Sequence, residues 1–109
     1  MSSFSIGDVV LVRYPFSDVS TAKIRPAVVI NAPHVSDDIF VLPLTSRTKS
    51  LLLGEFALVD WSAAGLHVAS AVKRGIYTLH QGFVIKRVGR LSDSDLDRMR
   101  DSLRQWLGL

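Results

Sequence analysis

KIRPAVVI, residues 23–30, decides how the rest of the chain is read. Lys23 and Arg25 lead into Pro26, and a largely β-branched apolar run, Ala27 to Ile30, follows it. A proline has no N–H to give a ladder, so it suits the start or the edge of a strand. It also biases the residue before it toward extended backbone, which presents Arg25 from a stiff junction of loop and strand. The stretch predicts a strand over 26–31.

Moving outward toward the C-terminus, DIFVLPLTSR (38–47) repeats the grammar. A strand over Asp38–Leu44 ends in two hydroxyls, Thr45 and Ser46, and then a cation, Arg47. One strand end thus offers a planar guanidinium and the other offers hydroxyl donors, a set that matches the oxygens of a phosphate. Two plainer readings stand beside this one. Arg25 pairs with Asp18 on the surface, or Thr45 and Ser46 bond only to their own turn.

Toward the N-terminus, IGDVVLVR (6–13) is an apolar run without clean alternation, as expected of a strand covered on both faces. YPFSDVSTAKI (14–24) joins it to the KIRPAVVI strand as a long loop rich in turn residues. Beyond Arg47, the basic segment RTKSLLLGE (47–55) reads as mobile. Strands follow over 55–59, 67–73, 76–79 and 84–88, with a turn at Gly82–Phe83. The ending is an amphipathic helix over Asp93–Leu107. Ser92 is its N-cap, with Asp95 at the capping-box position in place of the usual Glu. Leu91 and Leu96 take the staple positions. Leu96, Met99, Leu103, Trp106 and Leu107 make an apolar stripe, and Gly108 stops the helix. Many short strands with one terminal helix predict a mainly β chain built as a small curved sheet or barrel, a single domain over 1–109.

Of 109 residues, 48% are hydrophobic and none is cysteine, so the core is built without disulfides and some apolar surface is expected in a subunit interface. A net charge of +3 favours anionic partners. No apolar run reaches the ~18 residues of a membrane span, and MSSFSIGDVV lacks the pattern of a signal peptide. The expectation is a cytoplasmic protein with no membrane partner. No His/Cys/Asp/Glu set has metal-ligand spacing, and no Gly-rich phosphate loop or Ser–His–Asp signature occurs. Neither a metal nor a cofactor is expected.

GDVVLVRYPFSD, KIRPAVVI, DDIFVLPLTSR and the ending VGRLSDSDLDRMRDSLRQWLGL together resemble the MazF/PemK family of toxin endoribonucleases, in its PemK-like branch. The resemblance implies an SH3-like barrel with a C-terminal helix, usually a homodimer. It implies metal-independent cleavage of single-stranded RNA and neutralisation by a cognate antitoxin. The family's active-site Arg falls on Arg25 and its Thr on Thr45. Ser46, Asp18, Arg47, Lys49, Lys73 and Arg74 are the candidate substrate-binding residues around them. The sequence departs from the family pattern at Ser20–Thr21–Ala22, where many members place an acid. It departs again at Arg74–Gly75, where PemK-type relatives often have Asp followed by Lys or Gln.

Cleavage through the 2′-hydroxyl needs a base, a stabiliser of phosphate charge and a proton for the leaving oxygen. Arg25 suits the second task and is a poor base, because its guanidinium stays protonated. Asp18, His34 and His80 are the titratable candidates for the base; His67 reads as structural. Lys73, Arg74, Lys86, Arg87 and Arg90 form either an RNA-binding face or a solvated one. Tyr14 and Phe16 stack on bases or fold onto the core. Trp61 serves a partner or the core, and Trp106 packs the helix. Two rivals share the fold: a gyrase poison that needs no Arg25–Thr45 pair, and a weakly catalytic module that binds RNA or antitoxin.

Overall fold

The computed structural model describes residues 4–14, 23–31 and 37–109. Among them the chain forms strands β1 (Asp8–Arg13), β2 (Ile24–Val29), β3 (Asp38–Thr45), β4 (Phe56–Ala57), β5 (Ala71–Val72), β6 (Tyr77–His80) and β7 (Val84–Arg90). A 3-10 turn (Gln81–Phe83) precedes β7, and helix α1 (Asp93–Leu107) follows it.

The strands run β4-β5-β3-β2-β1-β7, and every pairing is antiparallel. β3 forks: its Asp38–Val41 half also pairs with β6, and its end, Leu44 and Thr45, pairs with β5. The two ends of the path come together through the turn that follows β4. There Gly65 (φ +90°) and Gly89 lie backbone to backbone, and a Cβ on either would overlap the carbonyl of Val88 or of Ala64. Only glycine permits so close an approach. The sheet is thereby wrapped into a small barrel.

β1 is apolar on both faces, as its uninterrupted run predicts. Val9 joins Val28, Leu42, Leu44, Val72 and the helix residues Leu96 and Met99 in one cluster. Val10 and Val12 join Ala27, Val29, Ile39, Val41 and Leu79 in another. Tyr14 packs on the second cluster with its ring edge-on to Tyr77 (5.7 Å between centroids), and burial pushes its phenol up from 10.0 to about 12, with Tyr77 adding to the effect.

Helix α1 starts and stops where predicted. The Ser92 hydroxyl accepts from the Asp95 N–H at 3.2 Å, Leu91 and Leu96 are both buried, and Gly108 adopts the left-handed conformation at φ 69°. The second half of the capping box is different. The Asp95 carboxylate, fully buried, accepts instead from the N–H groups of Val59 (3.1 Å) and Asp60 (2.8 Å). Arg98 reaches the same carboxylate and the Ala57 carbonyl, with its guanidinium over the Phe56 ring. The helix thus holds the chain that leaves β4.

Several boundaries differ from the sequence reading. β2 begins at Ile24 rather than Pro26, so Arg25 lies within the strand, opposite Val12. The strands expected over 55–59 and 67–73 shrink to two residues each, because Asp95 takes the N–H groups of Val59 and Asp60 and the Ser70 hydroxyl donates to the Val68 carbonyl. The apolar stripe also fades along the helix: Met99 is fully buried, Leu103 half-buried and Trp106 44% exposed. The basic segment expected to be mobile closes in a held turn, in which Glu55 accepts from the Leu52 N–H and donates its own N–H to the Leu52 carbonyl. No helix among the described residues is long and apolar enough to cross a membrane.

Candidate phosphate-binding cleft

The β2–β3 ladder pairs Val29 with Val41, Val28 with Leu42 and Ala27 with Pro43. Counting one residue further along both strands sets Pro26 beside Leu44; one more sets Arg25 beside Thr45. On the other side, Leu11 of β1 pairs with both Pro26 and Lys86. A lateral row, Lys86–Leu11–Pro26–Leu44, therefore crosses four strands, and Arg25 and Thr45 stand next to it. All of these residues line a single cleft of about 600 Å³, together with Ser46, Arg47, Leu66, His67, Val68 and Val88. β7 bends into it through two irregularities that leave Val88 and Ile85 as the extra residues.

The cleft is cationic. Arg25, Arg47 and Lys86 line it, and among the described residues no carboxylate does. The Arg25 guanidinium is exposed, and among the described residues its hydrogen bond is a long one, 3.4 Å, to the Ile24 carbonyl. Its backbone is fixed by β1 while its charge remains available. Thr45 meets both readings of its hydroxyl. Oγ1 accepts from the Arg47 N–H at 3.1 Å, so the turn is satisfied, and the hydroxyl's own proton is left for a ligand.

The other expected site residues are scattered. Asp18, His34, Phe16 and the Ser20–Thr21–Ala22 stretch lie outside the described residues. Lys73 and Arg74 line a second, more apolar cavity of about 680 Å³ under Leu103, Trp106 and Leu107. Arg74 is engaged there: its guanidinium sits 4.8 Å from the Trp106 ring centre and donates to the Leu53 carbonyl, and its N–H donates to Glu55. Lys49 is exposed and lines neither cavity. The expected basic face divides in the same way. Arg87 and Arg90 lie 3.6 and 3.3 Å from the buried Asp8 carboxylate, which leaves Lys86 as that group's member in the cleft. His80 is displaced as a base: it pairs with Asp38, at the opposite end of β3 from Thr45, and its imidazole caps the 3-10 turn by accepting from the Gly82 N–H. Trp61 packs half-buried against the core.

His67, which reads from the sequence as structural, is exposed and lines the cleft. The available signal was Gly65 two residues earlier, a residue type that marks a close backbone approach.

A family model described as PemK-like, MazF-like toxin of type II toxin-antitoxin system matches residues 5–107. The chain belongs to this family. Solved structures agree on the PemK/MazF fold at low sequence identity. An endoribonuclease in complex with its cognate antitoxin from Mycobacterial species superposes with a TM-score of 0.79 at 16% identity, covering 98% of this chain and 97% of that one. Mycobacterium tuberculosis toxin MazF-mt6 gives 0.74 at 20%, covering 94% and 97%. MazF from Deinococcus radiodurans gives 0.72 at 23%, covering 96% of each chain. No curated protein matches the sequence.

Proposed function

We propose that this chain is the toxin of a type II pair and an endoribonuclease that cuts single-stranded RNA by way of the 2′-hydroxyl. In this reading it is a single domain over 1–109 that works as a cytoplasmic homodimer and is held inactive by a cognate antitoxin. The observation that carries the reading is the convergence of Arg25 and Thr45 on one cationic cleft with no described carboxylate. Fold neighbours described as endoribonucleases, some of them crystallised with an antitoxin, support it.

The chemistry follows from the side chains. A phosphodiester entering the cleft meets Arg25, whose planar fork matches two phosphate oxygens. As O2′ bonds to phosphorus and the bond to O5′ breaks, charge grows on those oxygens, and a fixed cation stabilises that state more than the ground state. Thr45 donates a hydrogen bond to the same group. Arg47, Lys86 and Ser46 hold the neighbouring phosphates. Lys49 lies on the loop beyond Arg47 and meets RNA as it leaves the cleft. Lys73 and Arg74 lie at the second cavity, further from the reacting phosphate. Asp18, which falls between β1 and β2 in the sequence and outside the described residues, is the remaining candidate of the binding set.

The deciding experiment incubates the purified protein with single-stranded RNA in the presence of a chelator and maps the ends. Fragments ending in a 2′,3′-cyclic phosphate support the enzyme. RNA bound but intact indicates a binding module. Neither cleavage nor binding indicates a poison that acts on protein.

A further inference from the structure

We propose that His67 is the group that takes the proton from the attacking 2′-hydroxyl; this rests on the endoribonuclease reading of the same cleft. The reaction needs a base, and Arg25 cannot serve because its guanidinium stays protonated. Thr45 is equally unsuited, since a hydroxyl gives up its proton only at high pH. The charged groups facing the cleft are Arg25 on β2, Arg47 after β3 and Lys86 on β7, all cations. The acid nearest along the chain, Asp60, lies at the far end of the same turn, its N–H bound to Asp95. Among the described lining residues, His67 is thus the one whose neutral side chain offers a basic nitrogen to take a proton.

Its placement is built into the barrel. The turn over 60–66 is closed by hydrogen bonds from the Ala64 N–H to the Asp60 carbonyl and from the Leu66 N–H to the Trp61 carbonyl, both 3.2 Å. Asp95 holds its start, and the Gly65–Gly89 contact holds its end against β7. Immediately past that contact, Leu66, His67 and Val68 line the same cleft as Arg25, Thr45 and Lys86.

The neutral imidazole accepts the 2′-hydroxyl proton as the O2′–P bond forms. The P–O5′ bond breaks, the leaving O5′ takes a proton from water, and the imidazolium returns its proton to solvent after the cyclic phosphate departs. Cleavage therefore requires His67 uncharged.

The test is the pH dependence of kcat/KM for the wild-type chain, His67→Gln and Arg25→Ala, each checked for an unchanged thermal midpoint. The wild type should rise with pH at unit slope to a plateau. His67→Gln should lose that slope and fall about 100-fold at the plateau, the usual scale for one proton-transfer group. Arg25→Ala should fall while keeping the slope. If His67→Gln keeps the wild-type slope, or stays within about threefold of the plateau rate, the inference is overturned and Asp18 or His34, both outside the described residues, becomes the candidate base. The endoribonuclease reading would survive that result as long as Arg25→Ala is inactive. A wild-type chain that does not cut RNA overturns both.

Discussion

Arg25 combines a backbone pinned opposite Val12 with a guanidinium that has only a long bond to Ile24 among the described residues, the condition for a preorganised charge stabiliser. Arg25→Ala should slow RNA cleavage by at least about 100-fold. The thermal midpoint should hardly move, since an exposed Arg contributes little to folding. A folded variant that cuts at the wild-type rate would remove Arg25 from the mechanism. Tyr14 supports a second expectation. With its phenol pushed up to about 12, the fold favours the neutral form, so Tyr14's contribution is complete below the ordinary value of 10.0 and is lost as pH climbs through about 12. In an ultraviolet absorbance titration, the ionisation step missing from Tyr14→Phe should lie near the upper value; a missing step near the ordinary one would show the phenol to be solvated. Arg25 and Thr45 were legible in the sequence because each closes a motif at a strand end. His67 was not, because its place in the cleft depends on barrel closure rather than on its neighbours in the chain. The surroundings of Arg74 were hidden for a related reason: its partner Trp106 comes from the helix, which no local pattern around Arg74 reveals.

Among the elements, α1 was the most legible, since its cap, staple and stop are all local signals. The strands β4 and β5 were the least legible, because buried side-chain bonds replace their ladders after two residues. Asp95 shows how an element can do two jobs. It stands in the first turn, where an acid suits the helix dipole, yet its oxygens bind the chain leaving β4. Asp95→Ala should destabilise the protein by about 3 kcal/mol, because two buried N–H groups lose a charged acceptor. A loss under about 1 kcal/mol in chemical denaturation would mean that water replaces the carboxylate there. The graded burial along the helix gives a paired expectation. Met99→Ala should cost about 2–5 kcal/mol. Leu103→Ala, half-buried over the second cavity, should cost clearly less. Equal losses would show that the end of the helix is covered in solution, as a homodimer contact there would make it.

For the whole molecule, cations gather where Arg25, Arg47 and Lys86 meet, and an RNA and an acidic antitoxin segment would compete for that surface. Antitoxin added to the protein bound to a labelled, uncleavable RNA should displace the RNA, with Arg25 and the Arg47–Thr48–Lys49 loop under the bound peptide. The displacement should weaken at high salt. A stable ternary complex with unchanged RNA affinity would separate the two surfaces. The strand order carries a further consequence for how a cell makes such a protein. β1 pairs with β7, and Lys86 and Val88 of β7 are part of the cleft wall. A nascent chain that has emerged only as far as the turn at 60–66 holds Arg25 and Thr45 but not the strand that Gly65 must press against. Pairings between distant parts of a chain form late, and domains fold as units during synthesis. On the ribosome, then, the cleft is incomplete until residues 84–90 have been translated, and a product truncated earlier would lack the wall that Lys86 and Val88 supply.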